Sequence, residues 1–167
     1  MPRSLVMTVI GPDRPGLVDE LAATVSEHGG NWLESRMAQL GGHFAGILRV
    51  ECGEEECGTL LGALRGLEGL EVHAAREIAL EEGSRRQLRF DVMGNDRPGI
   101  VKQLAAVLAG AGANVEELST HLESAPHAGH PVFRATGTVG VAAEIDEADL
   151  VASLESLSDD LSVSVSA

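Results

Sequence analysis

The sequence predicts an α+β protein built as two βαββαβ units in tandem, and three observations carry that expectation. The hexapeptide GPDRPG at Gly11–Gly16 returns as GNDRPG at Gly94–Gly99. Sliding the chain along itself by 83 positions also brings Leu21 onto Leu104, Gly29 onto Gly112 and Asn31 onto Asn114, which marks a duplicated unit. Within each copy the apolar periodicity changes in the same order, from a short continuous run to helical spacing and then to strand-like segments.

Each element follows from its own pattern. Leu5 to Ile10 is a short apolar run and reads as a strand. Leu17, Val18, Leu21, Ala22 and Val25 then recur at helical spacing, with Asp19, Glu20 and Glu27 on the other face. Gly29-Gly30 ends that helix, because its last residue must turn left-handed. Trp32 to Leu40 and Phe44 to Cys52 read as two strands joined by Gly41-Gly42, a dipeptide able to take the positive dihedrals of a tight hairpin. Leu60, Leu61, Leu64 and Leu67 mark a second amphipathic helix, and Glu71 to Ile78 a last strand. In the second copy the matching helix residues are Leu150, Val151, Leu154 and Leu157, at an offset of 90. Seven extra residues must therefore lie between, and the turn-rich segment SAPHAGH, Ser124 to His130, is assigned to a lengthened hairpin loop. Leu161 to Ser166 alternates strictly, placing Leu161, Val163 and Val165 on one face.

This order is the ferredoxin-like plan, in which two helices cover one face of an antiparallel sheet. Domains are expected at residues 1–80 and 87–167, joined by a linker at 81–86 that contains the polar stretch Glu81-Glu82-Gly83-Ser84. A sheet covered on one side leaves its other face seeking a partner, and the nearest is the second unit.

Composition narrows the function. Apolar residues make up 44% of the 167, enough for a core. No apolar run approaches the roughly 20 residues that cross a bilayer, and Met1-Pro2-Arg3-Ser4 leads straight into a strand rather than a signal peptide, so no membrane partner and a cytoplasmic location are expected. A formal net charge of −14, with 2% aromatics and no Tyr, argues against direct nucleic-acid binding, because phosphates are repelled and bases find few faces to stack on. Cys52 and Cys57 stand alone as C-x4-C, without a second pair to complete a zinc site, and are read as small buried thiols.

The repeated hexapeptide carries the candidate chemistry. Pro15 suits the first helical position, Arg14 before it is steered to an extended conformation, and Gly11 and Gly16 supply backbone freedom or close approach. Free N–H groups on Gly16, Leu17 and Val18, and on Gly99 and Ile100 in the repeat, would sit at the positive end of a helix dipole and favour a carboxylate. Asp13, and Asp96 in the repeat, could take an ammonium group, and Asn31 and Asn114 offer both donor and acceptor. Together these make a pocket for an amino-acid zwitterion. Because D-x-P-G is also a good turn sequence, a purely structural role stands beside the ligand-binding one. His121, His127 and His130 match no standard metal spacing, so neither a metal nor a cofactor is expected. Asp146, Glu147 and Asp149, like Glu54 to Glu56, read as helix-start charges. No nucleophile elbow, phosphate loop or dinucleotide fingerprint is present, and no enzyme is inferred.

With G-x-D-R-P-G after a strand, an amphipathic helix and then G-x-N opening the next strand, both copies resemble the ACT-domain family, in its tandem form of the glycine cleavage system repressor type. The resemblance implies a regulatory module that binds small ligands, commonly amino acids, at interfaces between modules. It places the ligand loop on Gly11, Asp13 and Gly16 with Asn31, and again on Gly94, Asp96 and Gly99 with Asn114. Some single-domain relatives carry a side-chain donor where this chain has Gly11 and Gly94, and Pro12 differs from Asn95, so the two loops are not equivalent. Two units account for nearly all the residues, so regulation is expected to act on a separate regulator or enzyme chain, with a homodimer also allowed. The alternative is a ligand-independent interaction module that docks through its acidic surface.

Overall fold

The computed structural model describes residues 1–79, 85–124 and 129–167. The chain divides into two compact units, Met1–Leu80 and Glu81–Ala167. The first contains β1 (Pro2–Pro12), α1 (Leu17–Glu27), β2 (Asn31–Leu40), β3 (His43–Gly53), α2 (Glu56–Arg65) and β4 (Glu71–Arg76). The second repeats it as β5 (Arg85–Asn95), α3 (Ile100–Gly110), β6 (Asn114–Ser124), β7 (Pro131–Ala142), α4 (Glu147–Glu155) and β8 (Ser162–Ser166). The sheets are antiparallel, in the orders β2-β3-β1-β4 and β6-β7-β5-β8. Both units are thus ferredoxin-like, as the periodicity predicts.

Alternation along the strands decides where each core lies. In β1, Leu5, Met7 and Val9 are buried, while Thr8 and Ile10 face outward. Leu48 and Val50 of β3 join them, and Leu21, Val25, Leu60 and Leu64 from the two helices complete the first core. Leu88, Phe90 and Val92 with Leu104, Leu108, Leu150 and Leu154 build the second in the same way. Each fully buried aliphatic side chain contributes about 1.5–3 kcal/mol by leaving water. Gly41 and Gly42 both have positive φ, 58° and 81°, as their hairpin requires. Asp146 caps α4, its carboxylate accepting from the Ala148 N–H at 2.8 Å.

Several expectations are corrected. Cys52 and Cys57 are not free thiols but a disulfide, since the end of β3 and the first turn of α2 meet with their Cα atoms 5.7 Å apart. Pro15 does not open α1, because the helix begins at Leu17 and Pro15 belongs to the turn before it. The seven extra residues are not all in one loop. Gly11 faces Phe44 and Gly94 faces Phe133, so β7 is offset from β3 by 89 positions. Six insertions therefore fall in the hairpin, whose residues 125–128 lie outside the described ones, and the seventh lies between β7 and α4. Strand β5 takes in Arg85 and Arg86, the last two residues of the expected linker 81–86, and 80–84 lie outside the described residues.

Candidate functional site

The loop between β1 and α1 is built from its proline and glycine. Gly16 has φ 84° and ψ 0°, and Gly99 has φ 85° and ψ 4°. With proline before each glycine, these are the dihedrals and residues of a type II turn, in which glycine is favoured because φ must be positive. In the second unit the turn closes with the Ile100 N–H donating to the Arg97 carbonyl at 3.3 Å. That amide is therefore spent on the turn, which corrects the expectation that it points free at a ligand. The Leu17 and Ile100 side chains, 3% and 4% exposed, anchor the helices in the cores. No side chain caps α1 or α3, so both helix starts stay open.

Gly11 and Gly94 serve a different purpose from the one expected. Neither has positive φ, and both are buried. A Cβ on Gly11 would lie 2.3 Å from the Gly69 carbonyl oxygen, and one on Gly94 would lie 2.5 Å from Leu161 Cδ2. The turn before the last strand of each unit rests on these glycines. Their recurrence is a packing requirement.

Asp13 and Asp96 are exposed, and among the described residues their carboxylates have no hydrogen-bonding partner. Their backbones are fixed against the hairpins, with the Asp13 N–H donating to Gly42 at 3.0 Å and the Asp96 N–H to Pro131 at 3.3 Å. Asn31 is opposite Glu51, at the other end of β3 from His43, which faces Pro12. Eight residues at about 3.4 Å each separate those positions by roughly 27 Å of strand. Asn114, opposite Gly140, is likewise remote from Asp96. Within one unit the asparagines therefore do not join the aspartates.

The two loops differ in how they are held. Asp160, before β8, accepts from the Asn95 N–H at 2.7 Å and approaches Arg97 at 3.6 Å. Pro12 has no N–H to offer, and Gly69 stands where the second unit has Asp160. In the first unit Arg14 instead pairs with Glu20. The Ser158 hydroxyl, then the Asn95 N–H, hold the Asp160 carboxyl below the usual aspartate range. A lowered folded-state pKa means that this tether is present above the ordinary aspartate value and lost as pH falls through the lower, folded one. An NMR titration of the Asn95 amide should show a midpoint below about 3.9, the value of a free aspartate. In Asp160→Asn that acid step should disappear.

A recess of about 390 Å³ lies beside the second loop, lined by Asp96, Arg97, Gly99, Thr120, Leu122 and Phe133 among others. It brings together a guanidinium, a partnerless carboxylate, the open start of α3 and an apolar wall. Thr120, Leu122, Phe133 and Asp160 are additions that sequence reasoning missed. The exchange of Pro12 for Asn95 was the visible trace of the Asp160 tether. Beside the first loop a recess of about 470 Å³ is lined by Arg14, Glu20 and Glu68 with Pro12, Leu17 and Gly69, and its charge is mainly acidic.

His121 bonds to Glu123 at 2.8 Å on the outer face of the second sheet, where Arg134 joins Glu123 and Asp91. His130 is exposed, and His127 lies outside the described residues. Among the described residues, no group of three metal-ligating side chains is gathered. No described helix is long and apolar enough to cross a membrane.

The ACT-domain family model matches residues 3–74, which covers β1 to β4 apart from their extreme ends. The glycine cleavage system transcriptional repressor of Escherichia coli strain K12 is 28% identical over 130 residues, 72% of this chain and 66% of the repressor's length. The match thus spans just under two thirds of that relative. A crystal structure of an unknown protein from Galdieria sulphuraria superposes with TM-score 0.87 at 30% identity, covering 99% of this chain and 98% of the other. A structure assigned to a glycine cleavage system transcriptional repressor superposes with TM-score 0.68 at 20% identity, over 99% and 97%, and supports the fold. The first unit thus belongs to the ACT-domain family, and the second repeats its element order and strand order.

Proposed function

We propose that this protein is a non-enzymatic regulator that binds an amino acid at its proline–glycine loops and acts on a separate partner chain. The relatives named as glycine cleavage system repressors favour control of amino-acid, specifically glycine, metabolism. One observation carries the reading. The recess beside Asp96–Ile100 offers Arg97 and the start of α3 to a carboxylate, Asp96 to an ammonium, and Leu122 and Phe133 to the rest of the molecule. The acidic setting of Arg14 makes the first loop the weaker site for a carboxylate. A ligand shifts contact with a partner only as far as it prefers one state of the protein.

Calorimetric titration with the common amino acids, glycine and serine first, should give saturable heat from the second loop. Asp96→Ala removes the partner of the ammonium group and should weaken binding about tenfold to a hundredfold, the range of a charge-assisted hydrogen bond. Asp13→Ala should change it less. Absence of heat with every amino acid would remove the ligand from this reading. A ligand-independent interaction module would then be favoured, supported by the packing role of Gly11 and Gly94 and by the net charge of −14. A pull-down recovering the same partner with and without amino acids separates the two.

A further inference from the structure

We propose that the Cys52–Cys57 disulfide is a reversible redox site, opened by a dithiol that attacks the Cys57 sulfur, and that its state sets the rigidity of the β3–α2 corner. The inference does not depend on the amino-acid site.

Arg3 faces Cys52 across the first sheet, and Arg86 faces Val141 across the second, so Val141 occupies the place of Cys52. Glu147 stands three residues before Leu150, as Cys57 stands three before Leu60. The second corner closes without a covalent bond, through buried Val141 and the Arg86–Glu147 pair at 2.9 Å. The first corner already has the matching ion pair, Arg3 with Glu54. Both units also bury equivalent leucines beneath these helices, Leu60 and Leu64 against Leu150 and Leu154. The unit therefore has the contacts to hold its fold with the bond open. The bond closes only a short loop, where chain entropy gains least from a crosslink.

Cys57 is 8% exposed and Cys52 2%. A recess of about 640 Å³ is lined by Cys57 and Leu61 of α2, Arg3 and Leu5 of β1, and Arg76 and Glu77 at the end of β4. Cys57 lines it and Cys52 does not. Arg3 and Arg76 favour an incoming thiolate, although Glu54 and Glu77 offset part of that charge.

Cys57 sits in the first turn of the ten-residue helix α2, where the helix dipole favours a thiolate. In the first step the reductant thiolate bonds to the Cys57 sulfur and Cys52 leaves as a thiolate, which takes a proton. In the second step the other reductant thiol displaces the Cys57 thiolate, closing its own disulfide. Two electrons pass from the dithiol to the protein disulfide, and two protein thiols result. Oxidation by a disulfide carrier runs the same steps backwards, with Cys57 as the nucleophile.

The test equilibrates the full chain with mixtures of reduced and oxidised dithiothreitol in native buffer, followed by alkylation, intact mass and hydrogen exchange. Both thiols should appear in one two-electron transition without denaturant. Amide exchange should rise in residues 53–60 and stay constant in 142–150. In single-thiol variants shown by circular dichroism to be folded, Cys57 in Cys52→Val should alkylate about tenfold faster than Cys52 in Cys57→Ala. Thiols that appear only in denaturant would overturn the proposal, leaving a sealed staple. So would a chain whose thiols oxidised dithiothreitol cannot join, unchanged exchange at 53–60, or Cys52 reacting as fast as Cys57.

Discussion

Replacing Gly11 with alanine is expected to destabilise the first unit by roughly 2–3 kcal/mol, the scale of overpacking a tight core. For a unit of this size that lowers the melting temperature by about 10–20 °C. The new Cβ would lie 2.3 Å from the Gly69 carbonyl oxygen and 2.8 Å from Leu70 Cδ2. The carbonyl belongs to backbone that enters β4, so relief requires the turn itself to move. Gly94→Ala meets mainly Leu161 Cδ2, the end of a side chain that can swing aside, and should cost less. At Gly16 nothing lies within 4 Å of a Cβ, and only the positive φ of 84° opposes alanine, a strain of about 1–2 kcal/mol. Differential scanning calorimetry of the three variants should rank Gly11→Ala as the most damaging. An unshifted melting temperature for Gly11→Ala would refute the packing role.

Leu64→Ala is expected to cost about 2–5 kcal/mol, since it leaves a cavity as well as losing transfer energy. Leu64 is 1% exposed, on the face of α2 turned toward the first core. Against a typical total of about 5–15 kcal/mol for a folded domain, that loss takes up much of the stability available. Val18→Ala, on the same unit but 47% exposed, should stay within about 0.5 kcal/mol. Urea unfolding followed by circular dichroism measures both changes. Equal midpoints for the two variants would show that α2 does not seal the core as described.

Much of this architecture was legible before any coordinates. The apolar positions at Leu17, Leu21 and Val25, and at Leu60 and Leu64, define helix faces because 3.6-residue spacing brings them to one side. The glycine pair at 41–42 marked a hairpin because few other residues take its dihedrals. The two proline–glycine loops were legible as loops, and their internal geometry was not. D-R-P-G does mark the helix opening, but its proline and glycine form a turn that consumes the Ile100 amide, and a single-chain pattern does not distinguish a turn from a first helical residue. Gly11 and Gly94 looked like ligand loop, yet what lies beside them comes from about sixty residues away in sequence. Asn31 and Asn114 recur at a constant distance from the aspartates in sequence, while an 11-residue helix carries them to the opposite end of the unit.

The sequence by itself determined the duplication, the order of elements, the buried faces and the place of the loops, because these depend on periodicity and local dihedral preference over a few residues. Tertiary structure alone decided that Cys52 meets Cys57, that Asp160 holds the second loop and not the first, and that Leu122 and Phe133 wall the recess beside Asp96. The first depends on how α2 folds back on the end of β3, and the other two on which strand lies next to which. Strand pairing is set by the packing of whole units, which brings together residues whose separation along the chain carries no signal.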